Sequence, residues 1–196
     1  MASTTTNPDK ALVRQALTHG SVVLALAVSL IAANSWVHAM NNDIGRYTIG
    51  AWAFLCGLAF SHIIHEWCHY AGARLAKSTL ALKPRVHPLF FDFDLEANTS
   101  RQFLCLSLGG LIGNLLLLAA IISYAAPGSI VSTSLLAAVL GQFVFVLMLE
   151  LPVSVEVITG KDPLAALTAH FGQGGPLFLR AAIGGVGTAV LVFLLY

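Results

Sequence analysis

The sequence predicts an all-α polytopic membrane protein with about five transmembrane helices. Hydrophobic residues make up 57% of the 196 residues, charged residues make up only 10%, and the mean hydropathy is +0.82. Soluble domains carry about 25% charged residues, so too few charges remain here to cover a water-facing surface. This composition excludes a soluble domain and intrinsic disorder. The net charge of +1 gives no sign of nucleic-acid binding.

Five stretches have the apolar character and the length, about 20 residues, that a transmembrane helix needs. The first carries no charge, and we interpret it as a retained anchor because it lacks a convincing small-residue cleavage site. The second is uncharged up to Glu66, and the third is closed by Pro127-Gly128. All belong to one predicted membrane-embedded domain, residues 1–196, with spans at 16–40, 47–73, 103–126, 130–159 and 177–196.

The last two spans and one loop have features of their own. The fourth span is uncharged up to Glu150 and is long enough to tilt or to break near Pro152. The fifth has Arg180 near its start. Between the second and third spans, residues 77–100 form the one sizeable polar segment, and its later part alternates apolar and acidic residues. This alternation predicts a short β-hairpin-like loop after the second helix.

The distribution of basic residues predicts the orientation of the spans, because cytoplasmic loops are enriched in lysine and arginine. Nine of the ten basic residues fall on one side of the predicted bilayer, and only Arg46 falls on the other. We therefore expect the N-terminus and residues 77–100 in the cytoplasm, and the C-terminus on the outer side of a cell membrane. The nine residues are Lys10, Arg14, Arg74, Lys77, Lys83, Arg85, Arg101, Lys161 and Arg180.

Three acidic residues, Glu66, Glu150 and Glu156, fall within predicted spans. An acid at membrane depth costs at least about 2.5 kcal/mol unless it is paired, hydrated or bound to a metal. Each is therefore a candidate functional residue. The alternative, an acid near a helix end that extends its carboxylate to the interface, is most relevant to Glu156 and Glu150.

The clearest chemical signal is the segment His65-Glu66-Trp67-Cys68-His69, an H-E-x-x-H pattern on a helix. Histidines four residues apart lie on one helical face, so both imidazoles can reach one Zn²⁺ ion. Glu66 would lie beside the metal and take a proton from bound water as the catalytic base. The alternative is a coincidental polar cluster, but all three residues are costly inside an apolar span.

Other histidine and cysteine residues near this motif are weaker candidates for metal binding. His62 lies three residues before His65 on the same face, and we interpret it as a partner of a metal ligand or a water-facing histidine. The number and spacing of the cysteines give neither a disulfide framework nor a thiolate zinc site, so we expect small, buried side chains. The cysteines are Cys56, Cys68 and Cys105.

A second motif, Ser107-Leu108-Gly109-Gly110-Leu111-Ile112-Gly113-Asn114, follows in the third span. Together the two motifs resemble the site-2 protease family of intramembrane zinc metalloproteases, in which a G-P-x-x-N stretch follows the H-E-x-x-H helix by one span. Leu111 stands here where the family usually has proline. The glycines permit close helix packing. The resemblance implies that Asn114 and Gly110 position the substrate beside the active site; the alternative is a set of packing glycines with a lone polar residue.

The family takes its third zinc ligand from an aspartate after a proline in the next span. This chain has Pro152 there but no Asp-Gly pair, and glutamate is an acceptable zinc ligand. Glu156 fits the offset from the proline and the expected depth of His65 and His69. Glu150 is the alternative, and it would be deeper by about 9 Å unless Pro152 bends the helix. Two weaker candidates are Asp162 and His62.

The resemblance implies a minimal zinc metalloendopeptidase, without soluble accessory domains, that hydrolyses peptide bonds in or near transmembrane segments of membrane proteins. Expected partners are a substrate helix and the lipid bilayer, with no nucleic acid. A homo-oligomer is compatible with the sequence but not indicated by it. Residues 77–100 could offer an edge strand to an unwound substrate or form an interfacial loop. The alternative functions are an inactive scaffold or chaperone of this family, or a membrane metal carrier.

Overall fold

A computed structural model describes residues 8–40, 42–124 and 128–196, and it confirms the predicted fold class. Five of its helices are long and apolar enough to cross a membrane, and a two-stranded hairpin separates the second from the third. The elements are α1 (Pro8–Met40), α2 (Asp43–Leu75), β1 (Leu80–Leu82), β2 (Phe91–Phe93), α3 (Ser100–Tyr124), α4 (Ile130–Ile158), α5 (Pro163–Phe171) and α6 (Gly175–Leu195).

Several helices extend beyond the predicted spans because their polar end turns are helical as well. For example, α2 begins at Asp43, and the side chain of Asn42 caps it by accepting a hydrogen bond from Gly45 N at 2.7 Å. A hydropathy pattern detects only the part of a helix that lies in the hydrocarbon core. Polar turns at the ends of a helix are therefore not detected. The predicted end of the third span, at residues 125–126, and Pro127 lie outside the described residues.

Two features of the second half of the chain differ from the prediction. Helix α4 continues through Pro152 as one helix, without the break that we considered. Between α4 and α6 lies α5, a short helix that was not predicted. Asp162 caps it, since its carboxylate accepts a hydrogen bond from Ala165 N at 3.0 Å, and Pro163 begins it. An aspartate followed by proline is a typical start of a helix, so this sequence signal was available.

Helices α2 and α4 form the centre of the bundle. Helix α2 packs against α1, α3 and α4, while α4 packs against α2, α3, α5 and α6. The crossing of α2 and α3 depends on glycine. A Cβ atom added to Gly72 would collide with the carbonyl oxygen of Cys105, and one added to Gly109 would collide with that of Cys68. The close packing predicted for the glycines of the third span is thus confirmed at Gly109, and Gly72 on α2 is its counterpart.

The predicted hairpin lies in the loop after α2. Its strands are antiparallel, with Leu80 opposite Phe93. Phe90, next to β2, is fully buried and packs on Trp67 of α2, with ring centroids 4.5 Å apart. Gln15 of α1 also forms hydrogen bonds with the hairpin loop. These contacts fix the hairpin against the stretch of α2 that carries the H-E-x-x-H residues.

The buried amide of Gln15 makes three hydrogen bonds with the backbone of this loop, one of them from Nε2 to the carbonyl of Lys83 at 3.5 Å. Its Nε2 donates to the carbonyl of Arg85 at 2.7 Å, and its Oε1 accepts from His87 N at 3.3 Å. Among the cysteines, Cys56 is buried as expected, whereas Cys68 and Cys105 are partly exposed, and all three are free.

Candidate metal centre

Three side chains from two helices converge on one point inside the bundle. His65 and His69 come from α2, and Glu150 comes from α4. Glu150 Oε1 lies 3.0 Å from His65 Nε2 and 3.2 Å from His69 Nε2, and the two Nε2 atoms are 2.8 Å apart. The side chains expose only 6%, 13% and 21% of their surface, in the order His65, His69, Glu150. Three possible ligand atoms thus face each other in a largely buried space.

A backbone carbonyl orients the ring of His69. Its Nδ1 donates to the carbonyl of Leu106 on α3 at 2.7 Å. In the neutral imidazole this hydrogen bond leaves Nε2 without a proton, so the lone pair on Nε2 points toward Glu150 and His65. A hydrogen bond on the far ring nitrogen is the usual way in which proteins fix a metal-binding histidine.

His65 is oriented by a buried amide. The Nδ2 of Asn114 lies 3.3 Å from His65 Nδ1, and the Oδ1 of Asn114 accepts a hydrogen bond from Ser61 Oγ at 3.3 Å. Asn114 and Ser61 are fully buried. With the amide turned by 180°, Oδ1 accepts a hydrogen bond from His65 Nδ1–H, and His65 Nε2 is then free of a proton and can act as a ligand. Asn114 can therefore form a hydrogen bond with either neutral tautomer of His65.

Gly110 of α3 makes room for both imidazoles. An added Cβ would lie 2.5 Å from His69 Nε2 and 2.6 Å from His65 Cε1, so neither ring could keep its place. The sequence-based role of Asn114 and Gly110 was to position a substrate. The structure places both residues against the two histidines, and a direct role with substrate stays a prediction.

The structure brings Glu150 to the histidines, and Glu156 is not the carboxylate there. The Oε2 of Glu156 instead lies 2.7 Å from Lys161 Nζ in a partly exposed ion pair. Because the two glutamates are six residues apart, they point in directions about 120° apart around α4 and differ by about 9 Å along it. The depth argument that favoured Glu156 fails because the histidines meet α4 closer to its middle than we expected.

A serine pair sets the rotation of α4 that turns Glu150 inward. Ser154 lies one turn after Glu150 on the same face, is fully buried, and has its Oγ 2.8 Å from Ser107 Oγ on α3. Val153 and Val157 continue this buried face at helical spacing. The sequence analysis missed Ser154 and Ser61, although each lies four residues from a site residue, on the same helical face.

The remaining predicted site residues lie around the cluster. Glu66 is buried, with 9% of its surface exposed, and its carboxylate makes no hydrogen bond to any other residue that the structure describes. His62 is half-buried and likewise has no hydrogen-bond partner in the described ranges. Asp162 caps α5 and takes no part in the cluster.

The residues fit a divalent metal with nitrogen and oxygen ligands. Two imidazoles and one carboxylate are a common ligand set of catalytic zinc. Glu150 Oε2 is buried and has no hydrogen-bond partner among the described residues, so the carboxylate retains a free ligand atom. No family model, curated protein or solved structure matches the chain. The geometry of the site is therefore the basis for any reaction assigned to it.

Proposed function

We propose that the protein is an intramembrane zinc metalloendopeptidase, which hydrolyses peptide bonds in or near the transmembrane segments of other membrane proteins. The observation that carries this proposal is the convergence of His65 Nε2, His69 Nε2 and Glu150 Oε1 beside the buried Glu66. All four residues lie in helices long and apolar enough to span a bilayer. Three costly polar side chains that meet at one point, with a fourth next to them in the sequence, favour a functional site over chance.

His65, His69 and Glu150 would hold the zinc ion. Three protein ligands leave one position open for water or substrate, as in catalytic zinc sites. When bound, zinc supplies Lewis acidity toward water and toward the carbonyl oxygen of the scissile bond. This assignment makes Glu150 the third ligand in place of the Glu156 that the sequence favoured.

Glu66 would act as the proton carrier of the reaction. Its carboxylate is unpaired and immediately follows a ligand histidine, so it is free to take a proton from the attacking water. The oxygen of that water forms the new bond to the carbonyl carbon, the carbon–nitrogen bond breaks, and Glu66 passes the proton to the departing amine. Burial of Glu66 keeps bulk water from competing for this proton.

The hairpin is the element that we propose for binding the substrate. A helical substrate must unwind before its peptide bonds can be hydrolysed, and an extended segment can pair with the edge of a sheet. In the described part of the chain the sheet contains only β1 and β2, so each strand has an outer edge. Phe90, Trp67 and Gln15 hold the hairpin close to the helix that carries Glu66.

Glu66→Gln is the central test, because glutamine keeps the shape of the side chain but cannot accept the proton. We expect Glu66→Gln to retain zinc, measured by elemental analysis of purified protein, and to lose cleavage of a membrane-protein substrate by at least about 100-fold. His69→Ala should lose both the bound zinc and the cleavage of the substrate. Glu156→Gln is the matched control, since it removes another carboxylate within a span and should leave both measurements unchanged.

Two outcomes would argue against a peptidase. If Glu66→Gln cleaved the substrate as fast as the wild type, Glu66 would not be the catalytic base. A wild-type protein that binds zinc, cleaves no membrane substrate and moves zinc across vesicles equally well with Glu66→Gln would instead be a metal carrier, since a carrier needs ligands but no base.

A further inference from the structure

A groove on the outer surface of the bundle runs between α2 and α3, on a face that neither the metal site nor the hairpin uses. Its volume is about 840 Å³, and its walls are mostly apolar, with Cys68 and Leu75 on one side and Leu108 and Ile112 on the other. Leu75 and Ile112 are 85% and 54% exposed, so this face is open to the surrounding lipid. The groove is independent of the proposed peptidase activity.

The floor of the groove is backbone, because the helices cross at Gly72 and Gly109 with no side chain between them. From Arg101 to Ile112 the groove follows α3 over a rise of about 16 Å. One leaflet of the hydrocarbon core is about 15 Å thick, which is half of the bilayer core. The groove therefore has the length of one acyl chain in a single leaflet.

One end of the groove carries two cations, Lys77 and Arg101. Neither makes an ion pair with another residue in the described ranges, and no acidic residue is among the described residues that line the groove. Both basic side chains are exposed, at the end where the apolar part of α2 and α3 stops. The groove is thus apolar along its length and positively charged at its mouth.

The backbone at the mouth holds Lys77 in an unusual conformation. Its φ is 57°, the left-handed region in which glycine is usual. Lys77 N donates to Arg74 O, and Ser78 N donates to Ala73 O, which is the hydrogen-bond pattern of a Schellman motif at the end of a helix. The chain therefore has a lysine at the position where glycine would be least strained.

Gln102 ties this turn to α3. Its Nε2 donates to the carbonyl oxygens of Ala76 and Lys77 at 3.2 and 3.1 Å, and its Oε1 accepts from Thr99 N at 2.9 Å. Gln102 follows Arg101 directly, so the same contact places the turn of Lys77 beside the start of α3. The two cations are held at one end of the groove by fixed backbone.

We infer that this groove binds one anionic phospholipid, with an acyl chain along Gly72 and Gly109 and the phosphate at Lys77 and Arg101. An apolar groove of one-leaflet length with a cationic mouth matches an anionic lipid in shape and in charge. A zwitterionic lipid matches the apolar part but gains less from the two cations. A substrate helix or a second copy of this chain would not require unpaired cations at one end.

Native mass spectrometry of the full chain from vesicles with equal phosphatidylglycerol and phosphatidylcholine tests this inference. We expect one phosphatidylglycerol molecule to be retained by the wild type, and Lys77→Gly with Arg101→Gln to weaken its retention about 30-fold. Glycine suits the left-handed turn, so the helix end keeps its shape while the charge is lost.

The matched control is Arg74→Gln with Arg85→Gln, which removes two cations near the same end of the bundle but outside the groove. It should leave phosphatidylglycerol retention unchanged. Equal loss in both double variants, or equal retention of the two lipids by the wild type, would overturn the inference. A photoreactive residue at position 112 should form adducts of lipid mass, and chain-to-chain adducts there would assign the groove to a second copy instead.

Discussion

At the metal centre, the position of one residue around a helix decides which carboxylate meets the histidines. Glu150 lies on the same face of α4 as the buried Ser154, whereas Glu156 lies about 120° away and reaches Lys161. Ser154 forms a hydrogen bond with Ser107 of α3, on the face of α4 that turns Glu150 toward His65.

The first prediction concerns this choice of ligand. Glu150→Ala should lose zinc, because two histidines alone bind zinc weakly and a catalytic site usually needs three protein ligands. Glu156→Ala should keep zinc and change stability by at most about 1 kcal/mol, since its ion pair with Lys161 is 38–42% exposed. Zinc content of the two purified variants measures the difference. If Glu150→Ala kept the zinc content of the wild type and Glu156→Ala lost zinc, Glu156 would be the third ligand instead.

At the scale of elements, glycine sets how closely α2 and α3 approach. Gly72 and Gly109 face each other across the crossing, and a side chain on either would meet backbone of the other helix. Backbone cannot move aside as a flexible side chain can, so the helices themselves would have to separate. The same approach brings Gly110 and Leu106 of α3 to the histidine rings.

The second prediction follows from this crossing. Gly72→Ala should lower the free energy of unfolding by about 1–3 kcal/mol, because the added methyl group collides with the Cys105 carbonyl. Gly187→Ala is the matched control in α6, where no atom lies within 4 Å of an added Cβ, and it should be neutral or slightly stabilising. Unfolding followed in detergent micelles compares the two, and equal effects would contradict this account of the crossing.

The hairpin shows how an aromatic anchor holds a loop to a membrane helix. Phe90 is fully buried and packs on Trp67 and Tyr70, with ring centroids 4.5 and 5.4 Å apart. Its neighbour Leu89 is 48% exposed. Phe90 therefore supplies the buried contact that attaches this segment to α2, and Phe91 adds an edge contact with Tyr70.

The third prediction compares these two neighbours. Phe90→Ala should release the hairpin, because the loss of a buried phenylalanine costs about 3–5 kcal/mol. Leu89→Ala removes a similar amount of apolar surface from an exposed position and should have little effect. Limited trypsin digestion at Arg85 reports the release as faster cleavage, because Lys83 precedes Pro84 and a bond to proline resists trypsin. Equal cleavage rates in both variants would show that Phe90 does not anchor the loop.

At the scale of the whole molecule, the candidate metal centre lies where three helices meet. Helix α2 supplies the histidines, α3 supplies the groups that orient them, and α4 supplies the carboxylate. Helix α1 packs against α2 and the hairpin on the outside of this core, and α6 packs against α4. The candidate site is therefore built from α2, α3 and α4, and α1 and α6 cover two sides of these helices.

The fourth prediction concerns topology. Five spanning helices would place the two ends of the chain on opposite sides of the membrane, and nine of ten basic residues would then lie on the side of the N-terminus. Reporter fusions after Tyr196 and within residues 80–98 should therefore report opposite sides, with the hairpin in the cytoplasm. Signals from the same side would contradict the count of five spans.

Features that depend on local pattern could be predicted from the amino-acid sequence. Long apolar runs define the spans, the spacing of His65 and His69 defines a shared helical face, and alternation around Phe91 predicts the hairpin that was found. Each of these signals lies within a few turns of chain, so no knowledge of the neighbouring helices is needed to detect it.

The faces on which the helices meet could not be predicted in this way, because they depend on the packing of the whole bundle. Val153 is 2% exposed and Val155 is 48% exposed, yet both are valines in the same apolar run. In a bilayer the lipid-facing side of a helix is as apolar as the buried side, so hydropathy does not mark the face that turns inward. The third carboxylate depends on that face, and this is why Glu150 rather than Glu156 meets the histidines only once α3 and α4 are packed.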